Sequence, residues 1–206
     1  RRAPRITRAL LCVASCCLCL GAFPEPQAFR FEEADGKHLH VLEGDRPVLT
    51  YNFGMVLKPG VPEDRGRSSY VHPVYAPDGT VLTDDFPKDH PHHRGLSWMW
   101  PNVEVGGERW SLWDIRGIRQ RFERWLDRST GPDSARLAVE NGWYVGEKKV
   151  ARERVEFLIH RATTEGRAID VRLTFEATDR PVTLTGELPS RKGYGGLSLR
   201  FAPRTG

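Results

Sequence analysis

From Phe29 onward, apolar residues return at every second position in short runs. In VRLTFEA, Val171, Leu173 and Phe175 alternate with Arg172, Thr174 and Glu176, the pattern of a half-buried antiparallel strand. Similar runs are AFRFEEA, KHLHVLEG, PVLTYNF and SSYVHPVYA in the first half. GIRQRFERWLDR, SARLAVENGWYV, KKVARERVEFLIHRAT, RAIDVRLTFEAT, PVTLTGEL and GGLSLRF follow in the second. Asp35-Gly36, Gly44-Asp45 and Pro77-Asp78-Gly79 punctuate them as turns. The span 149–162 also fits the spacing of an amphipathic helix, but it lacks caps and lies between glycine-marked turns, so a strand is expected there. No internal repeat, low-complexity tract or interdomain linker interrupts the series. The pattern predicts an all-β chain: one large antiparallel β-sandwich, supersandwich-like, over residues 29–206.

Residues 1–28 break the pattern. Arg1, Arg2, Arg5 and Arg8 precede the apolar run Ala9 to Ala22, and small residues at Ala22 and Ala28 offer cleavage points, which together read as an export signal. Val13-Ala14-Ser15-Cys16 raises lipid anchoring at Cys16 as the alternative, although the apolar run continues past it. A periplasmic or extracellular domain is expected, with no transmembrane span after the signal. The formal charge of +4 divides as +3 on residues 1–28 and +1 on the rest, too little field for a phosphate backbone, so nucleic acid is not an expected partner. All four cysteines (Cys12, Cys16, Cys17 and Cys19) lie in the signal, so any metal site in the domain must use His, Asp or Glu.

Candidate chemistry concentrates between Tyr70 and Trp113. Asp89-His90-Pro91-His92-His93-Arg94-Gly95 cannot be a regular central strand, because Pro91 and Gly95 break it, and is expected as a loop leading into LSWMW. His90, His92 and His93 are the candidate catalytic groups, shuttling a proton near neutral pH. They could equally converge on one divalent metal ion, with Asp89, or Asp84 and Asp85, completing the shell. Arg94 is expected to orient an anion. His38, His40 and His160 lie on alternating strands and read as ordinary packed or surface histidines.

Trp98 and Trp100 share a face if LSWMW is a strand, and with His72 and Glu187 they are the candidate substrate-binding residues. Aromatic faces beside hydrogen-bonding groups suit a small-molecule or glycan ligand, whereas core packing is the alternative role for either tryptophan. No carboxylate pair stands out, which argues against a retaining glycosidase. RKGYGG is followed by no Lys-Ser/Thr and is no phosphate loop.

The segment YVHPVYAPDGTVLTDDFPKDHPHHRGLSWMW, with GGLSLRFAPR further on, resembles a bacterial family of exported proteins commonly labelled methane oxygenase PmoA, or PmoA-like. The resemblance covers most of the chain after the signal. It implies that this chain ends before the family's C-terminal strands, so that the domain is C-terminally truncated. By fold-level analogy, it also implies a likeness to the large sandwiches of carbohydrate-processing enzymes and epimerases. Three functions follow as expectations. The first is an exported enzyme acting on a carbohydrate through the His loop, the second a non-catalytic glycan-binding module, and the third an oxidative metalloenzyme or its accessory subunit.

Overall fold

A computed structural model describes residues 28–187 and 193–203; the expected signal lies outside them except for Ala28. The strands in chain order are β1 (Phe29–Ala34), β2 (His38–Glu43), β3 (Arg46–Asn52), β4 (Tyr70–Val74), β5 (Leu96–Met99), β6 (Asn102–Val105) and β7 (Glu108–Trp110). They continue with β8 (Ile118–Thr130), β9 (Ser134–Val145), β10 (Lys148–His160), β11 (Ile169–Ala177), β12 (Val182–Thr185) and β13 (Gly196–Leu199). One three-residue 3-10 turn, Glu63–Arg65, precedes β4. Among the described residues no helix is long and apolar enough to cross a membrane.

The strands form three antiparallel sheets, ordered β1-β2-β3-β4-β5-β13, β11-β10-β9-β8 and β12-β6-β7. This is the expected all-β sandwich. Every run singled out by its alternation is a strand, including 149–162, whose inward positions Ala151, Val155, Phe157 and Ile159 are buried at period two rather than 3.6. The β6–β7 hairpin was not anticipated. Its turn is Gly106-Gly107 with φ of 61° and 87°, the paired left-handed conformation that a tight hairpin needs and that glycine adopts without strain.

The long strands β8–β11 lie under both other sheets. Against the six-stranded sheet, Leu137, Val139, Val155, Phe157 and Ile159 meet Leu39, Val41, Leu49, Tyr51, Val71 and Trp98 in one buried cluster. In a second cluster, Trp143, Val150 and Ala151 meet Val103 of the three-stranded sheet, Met99 at the end of β5 and Leu112 of the turn after β7. Strand periodicity alone places Glu153 on the inward face between them, and registers it opposite Asn141.

Glu153 is fully buried. Its carboxyl accepts from Gln120 Nε2 (2.8 Å), Asn141 Nδ2 (2.7 Å) and Trp143 Nε1 (2.6 Å), so the buried carboxyl itself is fully partnered. Burial pushes its pKa up, against the pull of those donors. His38, His40 and His160 pair across strands with Asn52, Thr50 and Asp170, the ordinary packing roles expected of them.

Candidate functional site

The loop between Phe86 and Gly95 folds on itself before entering β5. His90 N–H donates to Pro87 O (3.1 Å), His93 N–H to His90 O (2.9 Å) and Phe86 N–H to His93 O (3.3 Å). Phe86 holds φ at 52°, an unfavourable region for a bulky residue that only a strong surrounding frame maintains. Gly95 is required where the loop meets β4: an added Cβ would collide with the Val71 carbonyl oxygen and the His72 Cβ.

Arg94 supplies the frame from inside. Its side chain has no exposed surface. Nη1 donates to Pro91 O (2.6 Å) and His93 O (2.8 Å), and Nη2 to Arg65 O (2.6 Å). The guanidinium carbon lies 3.4 Å from the centre of the Phe86 ring, and Nε lies 3.5 Å from Asp85 Oδ1. Tyr70 donates its hydroxyl to the other Asp85 oxygen (3.0 Å). Burial raises Asp85 to about 6 despite the Arg94 charge. The expected anion-orienting role of Arg94 is therefore corrected: its donors hold loop carbonyls, because a loop this tight leaves carbonyls inside that need a partner.

With Arg94 inward, the imidazoles face out. His90 and His93 stack with ring centres 4.8 Å apart at 15°, and His92 stands edge-on to His93 at 4.6 Å. His93 and His92 both lie against Trp113, at 5.4 Å and 6.2 Å. Trp113 in turn packs on Tyr194 at 4.7 Å. These five side chains and Asp114 line a cleft of about 440 Å³. Burial and the neighbouring imidazoles push His93 down to about 4, and burial also lowers His92 against the opposing pull of Asp114. Both are neutral at physiological pH.

The Nδ1 of His90 lies 2.8 Å from Asp89 Oδ2, and Asp89 also accepts from Arg200 Nη2 at 3.2 Å. The bond from His90 holds the Asp89 carboxyl below its usual range, with the Arg200 charge adding to it. An Nδ1–H committed to Asp89 leaves Nε2 as the proton-accepting nitrogen.

The opposite wall is built by the Ser111–Arg116 turn. Leu112 and Trp113 N–H groups both donate to Trp100 O (3.0 and 3.1 Å), which ties the turn to the end of β5. Asp114 accepts from Ser111 Oγ (3.2 Å) and Arg116 Nη2 (2.9 Å). Tyr194 is delivered by the loop after β12, closed by Glu187 N–H to Tyr194 O at 2.9 Å.

Of the residues singled out from sequence, His90, His92, His93 and Asp89 come together. Glu187 is tied to Tyr194 through its backbone N–H and is not among the residues that line the cleft. His72 lies beneath the loop against Gly95, with Nδ1 2.9 Å from Thr83 Oγ1, and burial lowers it to about 4. Asp84 accepts the Asp85 N–H (2.8 Å). Trp98 is 1% exposed in the first core cluster and 6.3 Å from Phe157, so its expected platform role is corrected to core packing. Trp100 packs on Trp143 and Phe175, at 5.8 Å and 5.1 Å, beside the second cluster. The aromatic wall is instead Trp113 and Tyr194. Asp114 and Tyr194 were not anticipated; an aromatic in the glycine tract RKGYGG was the one signal for Tyr194.

Among the described residues, no group of three or more His, Cys, Asp and Glu side chains is arranged to hold a metal ion. The near-parallel stack explains this for His90 and His93, since in-plane lone pairs of stacked rings do not converge on one point.

No curated protein and no solved structure matches the chain. Residues 38–205 match a family model that spans β2 to β13, and with them the His loop and both walls of the cleft, and assigns no activity, so the chain belongs to DUF6807, a family of unknown function.

Proposed function

We propose that this is an exported enzyme that performs acid–base chemistry on a carbohydrate or sugar derivative. The observation that carries the reading is one cleft in which the Asp89–His90 pair faces the aromatic wall of Trp113 and Tyr194. Sugar C–H faces pack on aromatic rings, and hydroxyls need acceptors such as Asp114 at the edge. His90 Nε2 receives the proton, Asp89 fixes the tautomer and balances the imidazolium that forms, and Arg200 holds Asp89. His92 and His93, neutral, serve as hydrogen-bonding groups beside it. The reading routes no step through a metal ion.

The test is a turnover screen over neutral and acidic mono- and disaccharides, with products read by mass spectrometry, on wild type, His90→Ala and Trp113→Ala. Removing a general base lowers kcat by about 10²-fold or more, and His90→Ala should do so with KM little changed. Trp113→Ala should act mainly on KM. Binding without turnover in the wild type would make the protein a glycan-binding module, and absence of binding to any sugar would overturn the reading altogether.

A further inference from the structure

The cleft does not end at Trp113. A second depression of about 310 Å³ shares His93 and Trp113 with the first and adds Arg94, Ser97, Met99, Ser198, Leu199 and Arg200, so the two hollows meet at the His93–Trp113 pair. Strand geometry accounts for the second one. β13 pairs with β5 so that Ser198 lies opposite Ser97 and Gly196 opposite Met99, and at period two Arg200 continues the same face. That face points away from the first core cluster, which takes Trp98 from the opposite side of β5.

The two hollows differ in chemistry. The first carries the carboxylate of Asp114 and the aromatic face of Tyr194. The second has no carboxylate among its lining residues, and it presents the Arg200 guanidinium with the half-buried Ser198 hydroxyl, while Ser97 is buried behind them. Arg200 commits Nη2 to Asp89. A guanidinium has five N–H donors in a planar fork, so this tether orients the group without exhausting it. A ligand filling both hollows would cross over His93, beside the Asp89–His90 pair.

We propose that the site takes a two-unit ligand, an acidic sugar joined to a neutral one, with the carboxylate of the acidic unit in the Arg200 hollow and the neutral ring against Trp113 and Tyr194. This rests on the carbohydrate reading above and adds to it the ligand's length, charge and direction.

The experiment is a fluorescence titration of the protein with four probes: glucose, glucuronate, a glucosyl-glucose disaccharide and a glucuronosyl-glucose disaccharide. The acidic disaccharide should bind about tenfold or more tightly than the neutral one, the scale of one charge-assisted hydrogen bond, and more tightly than either monosaccharide. Arg200→Gln should bring the acidic-to-neutral ratio close to one, and Arg200→Lys should restore part of it. Because Arg200 also holds Asp89, a second variant is needed. Ser198→Glu keeps Arg200 itself and sets a like charge in the hollow, so it should invert the ratio. Equal affinity for the two disaccharides, or a ratio indifferent to both substitutions, would overturn the proposal while leaving sugar binding intact. No binding of any of the four probes would overturn both readings together.

Discussion

Replacing Arg94 by alanine separates a group that holds the loop from one that meets a ligand. The guanidinium makes three hydrogen bonds of 2.6–2.8 Å to the carbonyls of Pro91, His93 and Arg65, and its side chain has no exposure. Bonds from a charged donor contribute about 1.5 kcal/mol each at the lower end of their range. Their loss strands three carbonyls and leaves Asp85, 11% exposed, without its cation. Removing the charge also removes its own burial cost, so the net falls at about 3–5 kcal/mol, the range for breaking a buried pair. Arg94→Lys should lose roughly half of that, since an ammonium lacks the planar fork that reaches several carbonyls at once.

The assay is equilibrium urea unfolding followed by tryptophan fluorescence, with the slope checked to confirm that both variants unfold in the same way. Amide exchange of His93, whose N–H closes the loop onto His90 O at 2.9 Å, reports the loop itself and should speed up before global unfolding. If Arg94→Ala lies within about 1 kcal/mol of wild type, and keeps its His93 protection while losing ligand affinity, the side chain acts on the ligand and the inward geometry is refuted.

Two further outcomes follow from the buried titratable groups. Glu153→Ala strands the N–H donors of Gln120, Asn141 and Trp143 in the seam and should cost about 3–5 kcal/mol in the same urea assay, with Glu153→Gln costing less; a neutral result would mean the carboxyl is not the hub of that network. His72, lowered by burial from 6.5 to about 4, takes up protons in the unfolded chain before the folded one, so its stabilisation is lost as pH falls from 6.5 toward 4. Allowing for its partial exposure, the stability difference between wild type and His72→Gln should shrink by about 1 kcal/mol from pH 7 to pH 5, and a pH-independent difference refutes the assignment.

The fold was legible because period-two alternation is the pattern itself, and it survives even in β10, where helical spacing competes with it. The loop was legible because proline and glycine exclude a strand where three histidines crowd together. What alternation could not resolve was β5. Ser97, Trp98 and Met99 are all buried, since the strand is covered on both faces, so no polar position marked an outside and Trp98 looked as available as Trp113. Arg94 could not be read either. In a sequence an arginine beside histidines suggests a ligand, and only the folded loop shows which carbonyls it must satisfy. Tyr194 reaches the cleft from a loop distant in the chain, a juxtaposition carried by sheet order rather than by local spacing.

Glu153, which the sequence reading did not single out, shows how the core and the cleft are joined. ARERVEF places it at the same parity as Ala151, Val155 and Phe157, hence inside. From its carboxyl the hydrogen bonds run outward: Gln120 donates to Glu153 and accepts from Arg67 Nη1 (3.4 Å). The other arm of Arg67 donates to the carbonyls of Leu112 and Trp113. Burial lowers Arg67 to about 9, a measure of how far this guanidinium has been taken from water. Two buried ionisable groups linked through one amide gain little over an apolar seam in net stability. They do fix direction, as dispersion contacts cannot. The chain from Glu153 through Gln120 and Arg67 ends on the backbone that carries Trp113, so the aromatic wall is set by the register of β8, β9 and β10 as well as by its own turn. A polar seam between two apolar clusters is costly to build, and its position gives it a use: it delivers the Trp113 ring to the imidazoles of a loop that Arg94 holds from the other side.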